Sequence, residues 1–355
     1  MSQENQNIQE EPHKRRVRYK GKYPRNYKEK YKELNPEKYQ DTIEKVIRKG
    51  STPAGMHISI MVREIIDFLQ IKPGQTGFDA TLGYGGHTKA MLECLKGQGH
   101  MYATDVDPIE SAKTKKRLAD AGFGEDILTI RLQNFCTIDE IAKEAGGFDF
   151  VLADLGVSSM QIDNPDRGFS FKVDGPLDLR LNPEKGISAA ERLAQIDEDE
   201  LAGMLWENSD EPYAEELARA IVTERKHGKP IDTTTRLREV IEETLSFLPE
   251  KEKKDTVKKT CQRTFQALRI DVNNEFEVLY EFMEKLPGAL KPGGRAAILT
   301  FHSGEDKLVK KALKQGYKEG VYSEIANDVV RPSAEECAQN GRARSTKMRW
   351  AVRAE

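Results

Sequence analysis

The sequence predicts an α/β fold with a doubly wound parallel sheet, on the basis of two apolar runs and the turn between them. The first run ends in the glycine-rich turn of FDATLGYGGH at 78–87, and the second, MYATDVD at 101–107, ends in carboxylates. One helix length separates the runs, as in the first β-α-β unit of a sheet that holds a nucleoside. Asp105 follows Gly83 by 22 residues, near the roughly 20 expected for a carboxylate that accepts hydrogen bonds from ribose.

The glycine spacing argues against a dinucleotide as the ligand. A pyrophosphate-binding turn has the pattern G-x-G-x-x-G. Here Gly83, Gly85 and Gly86 are followed by His87, and the third glycine of that pattern is missing. A glycine cluster by itself also suits a plain strand-to-helix turn, so other segments have to decide between the two interpretations.

Two later segments favour one particular nucleoside cofactor. The run FDFVLADLG at 148–156 ends a strand in Asp154, and LKPGGR at 290–295 precedes another apolar strand. A helix, a Pro-Gly-Gly turn and a strand, all beyond a strand that ends in an acid, are typical of an S-adenosylmethionine (SAM)-dependent methyltransferase domain. The predicted fold class is therefore α/β, with the class I, Rossmann-like methyltransferase sheet.

The bulk composition is typical of a soluble protein. Of 355 residues, 37% are hydrophobic and 32% are charged, and no run approaches the roughly 18 apolar residues of a membrane span. Residues 1–6 lack the apolar core of a secretion signal. The four cysteines are far apart and show no metal-ligand spacing. We therefore expect a cytoplasmic protein with reduced thiols, no membrane contact and no metal.

The charge distribution is more informative than the net charge of −3. Residues 14–32 carry ten basic side chains against one acid, with four tyrosines interleaved. Basic and aromatic side chains together suit phosphate contact and base stacking, although a disordered solubilising arm is the alternative. Two further basic patches, at 251–263 and 342–353, favour RNA as a partner.

The pattern along the chain predicts three parts. Residues 1–50 form a basic and aromatic extension with one helix, which starts after Asn35 and ends at Gly50. Residues 51–162 and 263–355 form the SAM-binding domain. Residues 163–262 show helical periods without a convincing strand, which predicts an all-helical insertion. At the carboxyl ends of the strands the insertion can form a lid over a substrate pocket; dimerisation or simple bulk is the alternative role.

Hydrophobic periodicity predicts the elements of the SAM-binding domain. An amphipathic helix is expected at 57–69, and strands are expected at 77–82, 101–105, 127–132, 148–154, 295–301 and 348–352.

Motifs spread along the chain resemble those of one family. They are HISI at 57–60, TLGYGGH at 81–87, DLGVSS at 154–159, QID at 161–163, RGFSF at 167–171, DGPLDLR at 174–180, RTFQALRI at 263–270, FHS at 301–303 and GRARS at 341–345. From about residue 56 to its end the chain resembles the bacterial methyltransferases called MraW or RsmH. These enzymes methylate the exocyclic N4 of a cytidine in the decoding centre of small-subunit ribosomal RNA (16S rRNA).

The resemblance implies a site for SAM. Its residues would be Gly85, Gly86, His87, Asp105, Phe135, Asp154 and Gln161. The two glycines and His87 would line the methionine side, Asp105 would bind the ribose, and Phe135 would lie near the adenine. Taken without the family, Phe135 is an ordinary core aromatic and Gln161 a surface loop residue.

The chain also departs from the family pattern. Met160 and Gly341 stand where proline is usual, and Gly304 stands where leucine is common. None of these changes removes a proposed ligand. The basic extension lies outside the common family core and suggests a paralogous branch with an altered substrate.

Methyl transfer to a cytosine amino group needs a hydrogen-bond acceptor, because the nitrogen lone pair is delocalised into the ring. Acceptors of its N–H groups favour the charge that develops in the transition state. Asp154 is the first candidate, with cofactor positioning as its competing role, and Ser158 and His302 are secondary candidates. Phe169 and Phe171 are candidates for stacking on an extruded base, with core packing as the alternative.

Other functions compete with this hypothesis. A nicotinamide-dependent oxidoreductase could use the same sheet, but the missing third glycine disfavours it. A paralogue could act on another RNA site, or a non-catalytic SAM-binding ribosome-assembly factor could keep the scaffold. The expected partner is the small ribosomal subunit or its rRNA, and a homodimer is left open.

Overall fold

The structure, a computed structural model, describes residues 59–355. The predicted helix at 36–50 and the basic, aromatic segment at 14–32 lie outside the described residues. The described part contains a sheet of seven strands: β1 (Thr76–Asp79), β2 (His100–Asp105), β3 (Leu128–Leu132), β4 (Phe148–Asp154), β5 (Leu290–Thr300), β6 (Tyr322–Ile325) and β7 (Lys347–Arg353).

The strand order is β3-β2-β1-β4-β5-β7-β6. Strands β1 to β5 pair in parallel, and β7 runs antiparallel to both β5 and β6. The chain winds outward from β1 to β3 and then in the other direction from β4. The crevice between β1 and β4 is therefore the switch point of the sheet, where ligands bind in open α/β folds. The predicted fold class is confirmed.

Helices cover both faces of the sheet. They are α1 (Val62–Leu69), α2 (Gly86–Leu95), α3 (Pro108–Asp120), α4 (Ile138–Ala145), α11 (Glu275–Ala289) and α12 (Ser303–Lys318). Between β4 and α11 come α5 (Ser159–Asp163), α6 (Ala189–Gln195), α7 (Glu198–Ser209), α8 (Ala214–Lys226), α9 (Thr234–Thr244) and α10 (Glu250–Asn273). Helix α13 (Ala334–Gln339) precedes β7. Within residues 59–355, none of the helices combines the length and apolar character that crossing a bilayer requires.

Alternation along the strands builds a core on each face of the sheet. Val151 and Ala153 of β4 belong to the hydrophobic cluster on one face. Phe150 and Leu152 of the same strand belong to the cluster on the other face. Such double burial is expected of a central parallel strand.

A third hydrophobic cluster lies among the helices between β4 and α11. It contains buried side chains of α6, α7, α8, α9 and α10, such as Leu193, Leu205, Leu217, Ile241 and Leu268. This core is built without a strand of the sheet, because the amphipathic helices bury their apolar faces against one another. Helix α10 runs unbroken from this cluster towards α11, and the domain boundaries at 163 and 262 stay predictions.

Two elements begin five residues away from their predicted starts, and a third was not predicted. Helix α1 begins at Val62 rather than 57, after Met61 in the left-handed conformation with φ of 57°. Strand β5 begins at Leu290, five residues early, and the expected Pro-Gly-Gly turn is an irregularity within it, with Gly293 at φ of 72°. The edge strand β6 was not predicted, because it is only four residues long and two of them are exposed.

Candidate active site

A cavity of about 390 Å³ opens at the carboxyl ends of the strands. All nine residues that were predicted to bind SAM or to take part in catalysis line it: Gly85, Gly86, His87, Asp105, Phe135, Asp154, Ser158, Gln161 and His302. The structure thus brings together side chains that lie as much as 217 positions apart in the sequence (302 − 85). Their roles stay predictions.

Two sets of the residues that line this cavity differ in the elements that supply them. The turn wall consists of residues 80–87 together with Asp105 and Asp154, at the ends of β1, β2 and β4. The helical wall consists of six residues that come from α10, the start of α11 and the start of α12: Gln266, Arg269, Asn273, Glu275, His302 and Glu305.

The glycine turn of the turn wall depends on the absence of side chains. Gly83 and Gly85 have φ of 47° and 82°, a region that other residues rarely adopt. A Cβ at Gly85 would also come within 2.7 Å of the Thr114 side chain. The turn therefore passes close to α3 and leaves its outer side to the cavity.

Asp105 holds this turn and keeps capacity for a ligand. One carboxylate oxygen accepts the Gly83 N–H at 2.8 Å, and the other accepts the Asp107 N–H at 2.9 Å. Burial raises the pKa of Asp105 to about 6, although these two hydrogen bonds act in the opposite direction. Each oxygen has a second lone pair that can accept a hydroxyl.

His87 has acceptors at both ring nitrogens. Nε2 lies 2.9 Å from the carbonyl oxygen of Ile60, and Nδ1 lies 3.4 Å from Oδ2 of Asp154. Since a carbonyl and a carboxylate only accept, the geometry favours an imidazolium that donates from both nitrogens. Burial alone would lower the pKa of His87, but the contact with Asp154 dominates the opposing effects, which raise it to about 9.

Asp154 is anchored on one side and open on the other. Its N–H donates to Oγ1 of Thr81 at 2.7 Å, and His87 faces its Oδ2. Its Oδ1 is buried and has no hydrogen-bond partner among the described residues. A buried carboxylate oxygen without a partner is costly, so this atom is available for a donor that enters the cavity.

The fully buried carboxylate of Asp79 is linked to Asp154 through Thr81. Asp79 accepts a hydrogen bond from Thr88 at 2.6 Å and one from the Thr81 N–H at 3.0 Å. Burial raises the pKa of Asp79. Thr81, which binds both Asp79 and the Asp154 N–H, was missed by sequence reasoning, although it stands two residues after β1 at the mouth of the crevice.

Ser158 and Gln161 cap helix α5. The Gln161 N–H donates to Oγ of Ser158 at 3.2 Å, and the Ser158 N–H donates to Oε1 of Gln161 at 2.9 Å. This is a capping box, which satisfies two donors of the first turn. Gln161 therefore lies in a helix, and its alternative interpretation as a surface loop residue is wrong.

Gln161 also belongs to a buried hydrogen-bond network. It joins the segment after β2 to the segment after β4. Asp107 is fully buried, and its Oδ2 accepts from Nε2 of Gln161 at 2.9 Å and from Nη1 of Arg167 at 2.7 Å. Its Oδ1 accepts from two N–H groups at the start of α3. Arg167 also donates to the carbonyl oxygens of Arg180 and Leu181.

The aromatic candidates divide into two groups. Phe135 lines the cavity and packs edge-on against Phe282, with ring centroids 5.2 Å apart. Phe169 is buried in the helical cluster, and Phe171 packs edge-on against Phe265 at 5.7 Å. Neither of these two lines the cavity. The stacking hypothesis is therefore wrong for Phe169, whose side chain packs in the core.

The helical wall is made of paired charges. Arg269 donates to both carboxylate oxygens of Glu275 at 2.7 and 2.8 Å. Nε2 of His302 lies 3.2 Å from the buried Glu305. Burial alone would raise the pKa of Glu305, but His302 and Arg269 lower it. Asn273 fixes this end of α10, because its amide donates to the carbonyl oxygen of Leu179 at 2.8 Å.

The imidazole of His302 packs between neighbouring side chains. Its side chain is 11% exposed, and its ring lies 5.8 Å from that of Phe276. Together with Glu275 and Glu305 it forms a group with ligand atoms within 4.8 Å of one another, spacing that could hold a metal ion. Arg269 already supplies a cation to these carboxylates, so charge balance in this group does not require a metal.

Five of the six residues of the helical wall escaped sequence reasoning, all but His302, and three of the five lie on α10. Gln266, Arg269 and Asn273 are spaced by three and four positions on α10, so they share one helix face. This spacing was the available signal. It becomes meaningful only when the face is known to border the cavity.

Fold and site together define a class of protein. The sheet order with an antiparallel β7, the glycine turn after β1 and the acid that ends β2 are those of a Rossmann-like, SAM-dependent methyltransferase. A turn that excludes a Cβ and a carboxylate with free lone pairs suit the nucleoside part of SAM.

The match with the MraW methylase family covers residues 54–354, and the chain belongs to this family. The alternative of a nicotinamide-dependent oxidoreductase is wrong.

Curated relatives agree along nearly their whole length. The chain is 82% identical over 347 residues to ribosomal RNA small subunit methyltransferase H 1 of Agathobacter rectalis, covering 98% of this chain and 99% of the relative. It is 71% identical to the protein of the same name in Lachnoclostridium phytofermentans, covering 98% and 94%. It is 37% identical to ribosomal RNA small subunit methyltransferase H of Thioalkalivibrio sulfidiphilus, covering 85% and 98%.

Proposed function

We propose that the chain methylates the exocyclic N4 of a cytidine in the decoding region of small-subunit rRNA, with SAM as the methyl donor. The observation that carries the chemistry is the buried, unpartnered Oδ1 of Asp154 in the turn wall. Membership of the MraW methylase family and the names of the relatives support the substrate.

The turn wall would hold the cofactor. Backbone at Gly85 and Gly86 allows close approach to the methionine part, and Asp105 accepts hydrogen bonds from ribose hydroxyls. Phe135 would lie beside the adenine, with Gln161 closing the site. SAM supplies an electrophilic methyl group, and the wall fixes where an acceptor must be placed to meet it in line.

Asp154 would act on the accepting amino group. An N–H of that group can donate a hydrogen bond to Oδ1. This hydrogen bond concentrates electron density on the nitrogen as it attacks. The carboxylate also stabilises the positive charge that develops there. His87 holds Oδ2, so that Oδ1 is the oxygen presented to the base. Asp154 would then combine catalysis with cofactor positioning, while Ser158 and His302 act mainly as structural supports.

The target base has to leave its stack to reach this carboxylate. Because Phe169 and Phe171 do not line the cavity, we place the base against the helical wall. Gln266 and Asn273 offer amide groups, and Arg269 a guanidinium face. The all-helical insertion between β4 and α11 would form the lid over this side.

The partner would be the small ribosomal subunit or its rRNA, in the cytoplasm, with a homodimer left open. The two relatives named methyltransferase H 1 match about 98% of this chain, whereas the Thioalkalivibrio protein, named methyltransferase H, matches 85%. This difference supports a branch that carries extra sequence, and it keeps another RNA site as the alternative target.

Nucleoside mass spectrometry tests the proposal. Small-subunit RNA from cells that lack this protein should have lost N4-methylcytidine at one position, and the purified protein with SAM should restore it. RNA fragments protected by hybridisation identify the position. Unchanged N4-methylcytidine, together with a different lost modification, would refute the assigned target and favour the alternative site.

A further inference from the structure

Helix α12 carries a row of lysines that the proposed chemistry does not use. Lys307, Lys310, Lys311, Lys314 and Lys318 are all exposed. At about 100° per residue these five side chains fall within a sector of roughly 100° on the helix surface. They form one stripe, which we call the lysine stripe.

The acids of α12 are buried rather than exposed beside the lysines. Glu305 lies on the side of the helix opposite the lysine stripe, and Asp306 is buried at its border, about 40° from Lys310. Asp306 accepts hydrogen bonds from Arg349 at 2.7 Å and Lys347 at 3.0 Å, so its charge is compensated within β7. The exposed side of the helix thus carries no acid before Glu319.

Most of the stripe also lacks neighbouring carboxylates. Lys307 lies 4.0 Å from Asp210. The other four lysines make no ion pair within the part of the chain that the structure describes. The basic patch on α10 is partly compensated. Lys253 and Lys259 lie 3.6 and 3.9 Å from Glu250 and Asp255, whereas Lys251, Lys254 and Lys258 make no ion pair among the described residues.

The lysine stripe begins close to the cavity, although on the other side of α12. His302 and Glu305 at the start of the helix line the cavity, and Lys307 follows two residues after Glu305. Lys307 reaches Asp210, two residues from Asn208, whose carbonyl oxygen accepts from the cavity residue Gln266 at 3.3 Å. With a rise of about 1.5 Å per residue, the stripe extends roughly 16 Å from Lys307 to Lys318, which is enough for several phosphates of one strand.

We propose that the lysine stripe binds the phosphate backbone of the RNA on one side of the nucleotide that enters the cavity. This inference rests on the proposed function. A row of cations, four of them without an ion pair among the described residues, that starts two residues beyond the cavity of a nucleic-acid enzyme complements a polyanion. Tyr317, 51% exposed beside the row, offers a surface for stacking. A membrane surface is the less suitable occupant, since the apolar side of α12 is buried against the sheet.

A pair of matched double variants tests this inference in the full-length protein. Lys310→Gln/Lys314→Gln removes two charges from the stripe, and Lys115→Gln/Lys116→Gln removes two exposed charges from α3, where Glu125 and Asp120 lie 2.7 and 2.8 Å away. The Kd for a labelled RNA fragment of the small-subunit decoding region is measured at several salt concentrations, with SAM affinity and melting temperature as checks on folding.

The stripe variant should bind the fragment on the order of tenfold more weakly, with a log Kd against log salt slope smaller by about 1.4, as for two lost single-strand phosphate contacts. The α3 variant should change by less than about twofold. SAM affinity and kcat at saturating RNA should stay unchanged in both.

Equal losses in the two variants, or none in the stripe variant, would overturn the inference. So would weakened binding to vesicles of anionic phospholipid with unaltered RNA binding. The outcome is separable from that of the proposed function. If the wild type binds the fragment through the stripe and yet forms no N4-methylcytidine in any small-subunit RNA, the stripe stands and the proposed reaction fails.

Discussion

In the turn wall, burial raises the pKa of Asp105 to about 6, whereas in the helical wall His302 and Arg269 lower the pKa of Glu305 in spite of its burial. The turn wall has a carboxylate oxygen without a hydrogen-bond partner among the described residues, Oδ1 of Asp154, and His87 as its buried cation. In the helical wall Arg269 compensates the carboxylates. The difference indicates that the open carboxylate of the turn wall is completed by a ligand. The carboxylates of the helical wall already have a cation, although both ring nitrogens of His302 lack a hydrogen-bond partner among the described residues. The difference also separates the variants expected to damage activity from those expected to damage stability.

The largest expected effect comes from the open carboxylate of the turn wall. Asp154→Ala should lower kcat at least a thousandfold, about 4 kcal/mol of transition-state stabilisation, because the acceptor for the reacting amino group is lost. Single-turnover methylation of RNA measures the effect, and circular dichroism checks the fold. Asp149→Ala is the control on the same strand, since that carboxylate lies at the other end and pairs with Lys291. Near-normal turnover of Asp154→Ala would remove the residue from the mechanism.

The helical wall should respond through stability instead. Arg269→Gln leaves Glu275 without its cation and Glu305 with His302 alone, so the free energy of unfolding should fall by about 3 kcal/mol. Urea unfolding measures it. Arg131→Gln, at an exposed pair with Glu144, is the control and should lose less than about 1 kcal/mol. Equal losses in the two variants would mean that the helical wall is not held together by its charges.

Because of His87, the free energy of unfolding should fall as the pH becomes alkaline. Its pKa of about 9 in the folded protein lies above the ordinary 6.5. The stabilisation is therefore complete below about pH 6.5 and is lost as the pH rises through 9. The wild type should lose on the order of 2 kcal/mol more than His87→Gln between pH 7 and 10. Parallel unfolding curves for both proteins across that interval would show that His87 is neutral.

Asp105 should have the smallest effect, on cofactor affinity. Ribose hydroxyls favour the ionised carboxylate, so SAM affinity of the wild type should increase as the pH rises through about 6. Asp105→Asn should bind SAM about tenfold more weakly at pH 7.5 and lose this pH dependence. Calorimetry at several pH values measures both. Asp120→Asn, exposed on α3, should keep the wild-type profile; a similar profile in Asp105→Asn would refute the ribose role.

The turn wall was predictable because local sequence determines it. A glycine that must adopt positive φ, a strand that ends in an acid and the helix between them occupy one continuous segment of chain. Gly85 and Asp105 therefore reveal their positions without knowledge of the rest of the fold. The motif at 154–161 is equally local, since Ser158 and Gln161 cap one another.

The helical wall was not predictable in this way, because its contacts join distant segments. Asn273 binds Leu179 across 94 positions, and Gln266 binds Asn208 across 58. Phe169 shows a second reason: a phenylalanine after a glycine reads the same whether it packs in a core or stacks on a base. The short edge strand β6 has too few buried residues to leave a pattern.

The fully buried Asp107 has a consequence for cooperativity. One carboxylate caps α3, next to the proposed ribose ligand Asp105, and also holds Arg167 at the entrance to the helical insertion. If a ligand on either side makes these contacts of Asp107 more rigid, less free energy is needed to order the other side. Thermodynamic linkage then requires reciprocity: RNA on the insertion should strengthen SAM binding by the same factor by which SAM strengthens RNA binding.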